Sequence, residues 1–223
     1  MKLNLFERDG RKLVQGIVTE MRPGTGAATG RVLNVKIKGS VYNKDEGKEE
    51  DQEMEIAFWN SELKKLADDA NNRLGVGKYV SVLCTEKDGK YSASAFKRQG
   101  IWTFPETLDE AGNVEAAEAN VVIGLIVNGY DGEGRYAVSV PITVRDAEGN
   151  PVPQWVRITF FNNDKQPNLA ENAKKVLAPV KSDASENIVR KTAALRCGAK
   201  NTWTSPDGQE RVSYVAYAFD RIS

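Results

Sequence analysis

Aromatic and basic side chains share one face of a predicted strand in the segment Trp155-Val156-Arg157-Ile158-Thr159-Phe160-Phe161. Alternate side chains of a strand point to opposite sides, so Val156, Ile158 and Phe160 are expected to face the core. The outward set is then Trp155, Arg157, Thr159 and Phe161. Two flat rings beside a guanidinium suit the stacking of bases and contact with a phosphate, at about 1–3 kcal/mol for each stacked base.

Three further aromatic residues are candidates for the same chemistry. Trp59 follows the apolar run at residues 56–58, Tyr42 precedes a long acidic hairpin loop, and Trp203 lies on the arm of a predicted hairpin. The competing interpretation is structural. Trp59 and Phe161 would then pack at the junction of two barrels, and Trp155, which follows two prolines, would pack against a loop.

Two lysines supply basic candidates on an earlier strand. Lys36 and Lys38 alternate with Val35 and Ile37, which is the period of a half-buried strand. They therefore face solvent, where they could contact phosphate. Basic side chains on exposed strand faces are common without any ligand, so this pattern is weaker than the one at residues 155–161.

The composition argues against catalysis and metal binding. The chain has no histidine, which removes the most frequent general base, the Ser-His and Cys-His nucleophile pairs and most zinc sites. Two cysteines cannot form a four-cysteine zinc site, and both fall in predicted core strands, as buried thiols in a reducing cytosol would. We therefore predict no catalytic residue, no metal, no cofactor and a protein that is not an enzyme.

The elements that would position these residues occur twice. Residues 56–60 (IAFWN) are echoed by residues 158–162 (ITFFN). Three further pairs follow in the same order: the helix-like stretches 63–67 and 169–177, the strands 80–84 and 192–197, and the closing segments 91–98 and 214–221. Four matching blocks indicate a duplicated module, which typically serves an extended ligand.

Each copy shows three strands, one helix and two more strands. This order is that of the OB-fold, a five-stranded, partly open Greek-key barrel, whereas an SH3-like barrel usually lacks so long an inserted helix. We predict an all-β chain with one helix per module: two tandem OB-folds at residues 1–104 and 121–223, joined by an acidic linker at 105–120. The first helix is expected to open at Asn60-Ser61 and to end near Gly75.

These motifs resemble the single-stranded DNA-binding protein family of bacteria and their phages, most closely across residues 53–104. The resemblance implies that bases stack on third-strand aromatics, here Trp59, Trp155 and Phe161, while the backbone passes Lys36, Lys38 and Arg157. Hairpin arms such as that of Trp203 wrap nucleic acid in the family, and Tyr42 keeps the aromatic character of the first copy. Glu53 departs from the pattern, because an aromatic residue is expected there.

Charge separates the two copies further. Residues 45–55 hold seven acidic residues and one lysine, and carboxylates beside a phosphate path repel it. The first copy is therefore expected to bind nucleic acid more weakly or to contact protein. The linker adds five acidic residues and no basic one.

The expected function is binding and protection of single-stranded DNA in replication or recombination of a bacterium, a phage or a mobile element. The expected partners are single-stranded DNA and replication or recombination proteins, and two paired chains would supply four OB-folds. No apolar run suits a membrane span or a signal peptide, which favours the cytoplasm. The alternatives are an OB-fold adaptor that binds protein without nucleic acid, and an accessory domain that binds or processes RNA.

Overall fold

Strands build most of both halves of the chain. The computed structural model describes residues 1–146, 148–181, 188–206, 208 and 210–223. The chain divides into two units, Met1–Arg98 and Gln99–Ser223. None of the helices in the described ranges has the length and hydropathy of a membrane span.

The first unit contains six strands, one α-helix and a short 3-10 helix at Gly26–Ala28. Its main elements are β1 (Asn4–Arg8), β2 (Arg11–Pro23), β3 (Val32–Asn43), β4 (Lys48–Trp59), α1 (Leu66–Arg73), β5 (Tyr79–Lys87) and β6 (Lys90–Lys97). The long strand β2 pairs with β5 along residues 11–17 and with β3 along residues 17–23. The two halves of β2 therefore pair with different strands.

These pairings close a barrel in the first unit. Strand β3 pairs with β4, β4 lies parallel to β6, and β6 is antiparallel to β5, which returns to β2. The cycle β2-β3-β4-β6-β5 is that of a five-stranded Greek-key barrel, with α1 between its third and fourth strands. The predicted OB-fold is confirmed here by strand order.

The second unit repeats this plan with additions. Its elements are β7 (Gly100–Phe104), β8 (Thr107–Leu108), β9 (Val114–Ala116), β10 (Ala119–Leu125), β11 (Asn128–Gly132), β12 (Arg135–Arg145), β13 (Pro151–Phe161), α2 (Leu169–Leu177), β14 (Val180–Lys181), β15 (Ile188–Val189), β16 (Thr192–Cys197), β17 (Asn201–Thr204) and β18 (Glu210–Arg221). The first barrel strand is split here, since β10 pairs with β16 and β11 with β12. Strand β13 then pairs with β12 and lies parallel to β18, which returns to β16.

The boundary between the units differs from the predicted one. The first module was expected to extend to residue 104, with Trp102 and Phe104 closing its barrel. Instead β7 pairs with β10, so that Trp102 lies opposite Val121 and β7 belongs to the second unit. Both aromatic side chains are buried. Within the expected linker, β8 and β9 form a short hairpin and β10 begins at Ala119. The composition of residues 100–104 does not indicate that β7 belongs to the second unit, because its partner β10 follows only after the β8–β9 hairpin.

Equivalent apolar residues fill the two cores. Phe58 and Phe160 are fully buried, and each makes an edge-on contact with a ring of the last strand, Phe96 or Phe219, at 5.7 Å between centroids. The cysteines are free and buried, as predicted, and burial raises the pKa of the Cys84 thiol to about 11. Both thiols therefore serve as small apolar side chains.

An asparagine after the third strand of each barrel fixes the start of the helix. Asn162 Oδ1 accepts a hydrogen bond from the Ala170 backbone N–H at 2.9 Å, and Asn60 Oδ1 accepts one from Ala67 at 3.0 Å. Helix α2 spans the predicted residues, whereas α1 begins at Leu66 rather than at Asn60-Ser61. The Ser61 hydroxyl accepts from the Lys64 N–H at 3.0 Å and holds residues 61–64 in a turn, which delays the helix.

Candidate nucleic-acid interface

The outward face of β13 has the predicted composition. Val156, Ile158 and Phe160 are buried, while Trp155 is 51% exposed and both Arg157 and Phe161 face solvent. The alternation is therefore confirmed. Trp155 and Phe161 lie six residues apart on one strand, which places the two rings about 20 Å apart.

A groove brings Trp155 together with a second tryptophan. Its volume is about 240 Å³, and two indoles and two guanidinium groups line it, those of Trp155, Trp203, Arg157 and Arg211. Trp203 is 49% exposed. The structure thus unites three of the predicted residues, Trp155, Arg157 and Trp203, in one site.

Strand register explains how these distant residues meet. The central strand β18 pairs with β13 on one side and β17 on the other, which places Arg157 opposite Ser213 and Trp203 opposite Arg211. Arg211 also donates from Nε to the Ser205 hydroxyl at 3.1 Å, which orients its guanidinium. Arg211 was not predicted from the sequence. The alternating apolar residues Val212 and Tyr214, both buried, indicate that Arg211 points outward on β18.

Tyr130 extends the aromatic face beyond the groove. It is exposed on β11, and its ring centroid lies 5.4 Å from the guanidinium carbon of Arg157, a cation–π geometry. Tyr130 was not predicted from the sequence, because a strand of five residues rich in glycine and polar side chains has no clear periodicity. Tyr130 connects the outer face of β13 to β11.

The other end of this face is also aromatic. Phe161 lies opposite Arg135, and the exposed Val215 and Tyr217 project from β18 on the side of its outward residues. We use the term aromatic face for five exposed aromatic side chains of the second barrel, with Val215 beside them: Tyr130, Trp155, Phe161, Trp203 and Tyr217. It spans four strands, and Arg157 lies within it.

The corresponding face of the first barrel is occupied by ion pairs. Lys36 Nζ lies 2.8 Å from a Glu20 carboxylate oxygen, and Lys38 Nζ lies 2.8 Å from Asp51. Arg22 contacts both Glu20, at 3.0 Å, and Glu55, at 3.1 Å. The two lysines predicted to meet phosphate therefore already have carboxylate partners.

These contacts shift the titration of the groups involved. The hydrogen bond to Glu20 raises the pKa of Lys36 and lowers that of the carboxylate, and the Lys38–Asp51 hydrogen bond acts in the same directions. At neutral pH all four groups are charged and paired. A phosphate approaching either lysine must compete with a carboxylate.

Trp59 and Tyr42 are both exposed but lie far apart. Trp59 is opposite Val32 at one end of the β3–β4 hairpin, whereas Tyr42 is opposite Glu49 near its tip. Ten residues of β3 separate the two positions, or about 33 Å. The first unit thus presents two separate aromatic residues rather than a platform.

Alignment of the two third strands shows the contrast directly. Because residues 56 and 158 are equivalent, Glu53 and Glu55 take the places of Trp155 and Arg157. An aromatic ring and a cation in one barrel are thus two carboxylates in the other. The described residues contain no group of three or more His, Cys, Asp or Glu side chains placed to hold a metal ion.

No protein-family model matches the chain, and neither does any curated protein sequence. Solved structures of single-stranded DNA-binding proteins are similar to it at low identity. The wild-type protein from Thermus aquaticus is 14% identical, with 96% of this chain and 92% of that chain covered and a TM-score of 0.29. A deletion mutant of the same protein is 16% identical, with 96% and 94% covered and a TM-score of 0.28. The small single-stranded DNA-binding protein from Streptomyces coelicolor is 17% identical, with 47% of this chain and 93% of that chain covered and a TM-score of 0.28.

Proposed function

We propose that this protein binds single-stranded DNA without catalysis, and that the second barrel supplies the principal binding surface. The observation that carries the proposal is the groove in which Trp155 and Trp203 meet Arg157 and Arg211. Flat rings bind the faces of bases, and guanidinium groups bind phosphates, so the groove suits both parts of a nucleotide.

The aromatic face favours single strands over duplexes. Stacking on a side chain requires an uncovered base face, and duplex DNA covers both faces of its bases with neighbouring base pairs. A row of exposed rings over about 20 Å of β13 could receive successive bases of one strand. Such a protein would protect single strands exposed in replication or recombination, which are the processes we propose for it.

Tryptophan fluorescence during titration with oligothymidine tests the proposal. Three of the four tryptophans are exposed, whereas Trp102 is buried and gives a constant background. We expect quenching by the single strand, weaker binding at higher salt, and little quenching by duplex DNA of equal length. Absence of binding at low salt would exclude the proposal.

The first barrel favours a second candidate function. Lys36 and Lys38 are paired with carboxylates, and the acidic hairpin presents an exposed Tyr42, which suits contact with a protein better than contact with phosphate. If both barrels were protein adaptors, the wild-type chain would leave oligothymidine unbound even at low salt. The fluorescence titration therefore separates the two functions.

A further inference from the structure

A second cleft of the second barrel lies between β11 and helix α2. Its volume is about 390 Å³, within the range of sites for small ligands. Asn128, Gly129 and Asp131 line one side, Lys174 and Ala178 the other, and Tyr136 contributes from β12. None of these residues belongs to the groove of Trp155 and Trp203.

The Tyr136 hydroxyl is a buried polar group without a partner. The side chain is 3% exposed, and its oxygen has no hydrogen-bond partner among the residues that the structure describes. Leaving a buried hydroxyl unsatisfied has a cost in stability, and such groups in native proteins are rare. Burial, with a smaller effect of Asp131, raises the pKa of Tyr136, so the hydroxyl keeps its proton and can donate it.

Gly129 lets this hydroxyl pack against the backbone of β11. A Cβ at position 129 would collide with Tyr136 Oη, so only glycine allows the strand to pass this close to the ring. The cleft is lined at the same place by the Gly129 backbone. The hydroxyl therefore lies directly beneath the part of β11 that borders the cleft.

An ion pair supplies the remaining polar groups. Lys174 donates a hydrogen bond to Asp131, and both side chains are about half exposed at the mouth of the cleft. The pair carries no net charge, but it offers ammonium donors beside carboxylate acceptors. Together with the Tyr136 hydroxyl, this arrangement matches a neutral ligand that presents a hydrogen-bond donor next to an acceptor.

We propose that this cleft binds one nucleobase by its hydrogen-bonding edge, as a pocket separate from the stacking groove. A base edge presents a donor beside an acceptor, and a base turned away from its neighbours can be bound through that edge. The inference rests on the proposed function, since the base belongs to the bound single strand.

The aromatic face leads to this cleft. Tyr130 stands on β11 beside Arg157, and its neighbours Gly129 and Asp131 on the same strand line the cleft. A strand that runs from Trp155 past Arg157 and Tyr130 reaches the edge of β11 and can turn one base into the cleft. Gly129 and Asp131 point to the opposite side of β11 from Tyr130, so the cleft and the aromatic face are separated by the width of this one strand.

The Tyr136→Phe variant tests the pocket, because it removes only the hydroxyl. We expect its affinity for an oligothymidine of about 16 nucleotides to fall about 2- to 10-fold, the effect of one hydrogen bond. With an oligothymidine of about 4 nucleotides, which fills the groove alone, affinity should stay unchanged. The melting temperature of the free variant should be equal to that of wild type or higher, since no partner is lost.

Tyr79→Phe is the matched control in the first unit, where the hydroxyl donates to the buried Gln15 at 2.9 Å. It should lower the melting temperature and leave binding unchanged. If Tyr136→Phe bound each oligothymidine with the affinity of wild type, the proposed pocket would be wrong. A lower melting temperature of Tyr136→Phe would also contradict it. Failure of wild type to bind either oligothymidine would instead overturn the proposed function.

Discussion

Single side chains at equivalent positions give the two barrels different binding faces. Glu55 forms an ion pair with Arg22 in the first barrel, whereas Arg157, at the matching position, faces the ring of Tyr130 in the second. Neither difference affects the core, because both positions point outward on the third strand. The duplicated fold therefore keeps its packing while its two faces differ in charge and aromatic character.

Replacement of Trp155 by alanine should weaken binding of oligothymidine by about 1–3 kcal/mol, or about 5- to 150-fold, because one stacked base loses its ring. Fluorescence anisotropy of a labelled oligothymidine measures the change. Trp59→Ala is the matched control, an exposed tryptophan on the same strand of the other barrel, and should have a smaller effect. Equal losses for the two variants would contradict the assignment of the principal site to the second barrel.

Arg157 and Lys36 should differ in their contribution to phosphate binding. Arg157→Ala is expected to weaken binding and to reduce the slope of log K against log salt by about 0.7, the value for one phosphate of a single strand. Lys36→Ala should leave the slope unchanged, because Glu20 already neutralises that lysine. Titrations at several salt concentrations check both values, and a reduced slope for Lys36→Ala would show that phosphate displaces the carboxylate.

The elements are positioned by contacts that recur in both barrels. Asn60 and Asn162 each follow the third strand and satisfy a backbone donor in the first turn of the helix. Their side-chain nitrogens donate in turn to carboxylates of those helices, Asp68 and Glu171. One asparagine thus connects the strand that carries the aromatic side chains to the helix that packs against the barrel.

Asn162→Ala should lower the free energy of unfolding by roughly 0.5–2 kcal/mol, the usual effect of removing a helix cap. Urea denaturation followed by circular dichroism measures this loss. Asn172→Ala, on the exposed side of α2, is the control and should not destabilise the protein, since alanine favours helix. A stability equal to wild type for Asn162→Ala would show that water replaces the cap.

At the scale of the whole molecule, the chain divides at a place where its composition does not change. The acidic stretch after residue 104 suggested the boundary, but β7 already belongs to the second unit through its pairing with β10. Ile101 of this strand packs against the core of the second barrel. The second unit therefore contains β7 in addition to its barrel strands and helix.

A fragment that begins at Gln99 should be more stable than one that begins at Pro105, by roughly 1–3 kcal/mol, because the shorter fragment loses the pairing of β7 with β10 and the packing of Ile101 against the core. Urea denaturation of the two purified fragments gives the comparison. Equal stabilities would show that β7 contributes little to the second unit.

The sequence by itself determined the features that depend on local periodicity. Alternation along residues 155–161 predicted which side chains of β13 are buried, and the repeated blocks predicted two barrels, the bounds of α2 and the burial of both cysteines. These predictions were correct because the buried side of a strand or helix repeats with a fixed period, which the order of apolar and polar residues in the sequence shows directly. The predicted start of α1 was wrong, because the hydrogen bond from the Lys64 N–H to the Ser61 hydroxyl holds residues 61–64 in a turn.

Only the tertiary structure decided what depends on pairing between distant segments. The register of β13, β17 and β18 brings Trp203 and Arg211 to Trp155, and the pairing of β2, β3 and β4 places carboxylates on Lys36 and Lys38. The base-binding role of these residues stays a prediction. Their neighbours are set by strand order and register, which depend on the packing of the whole barrel and leave no periodic signal in the sequence.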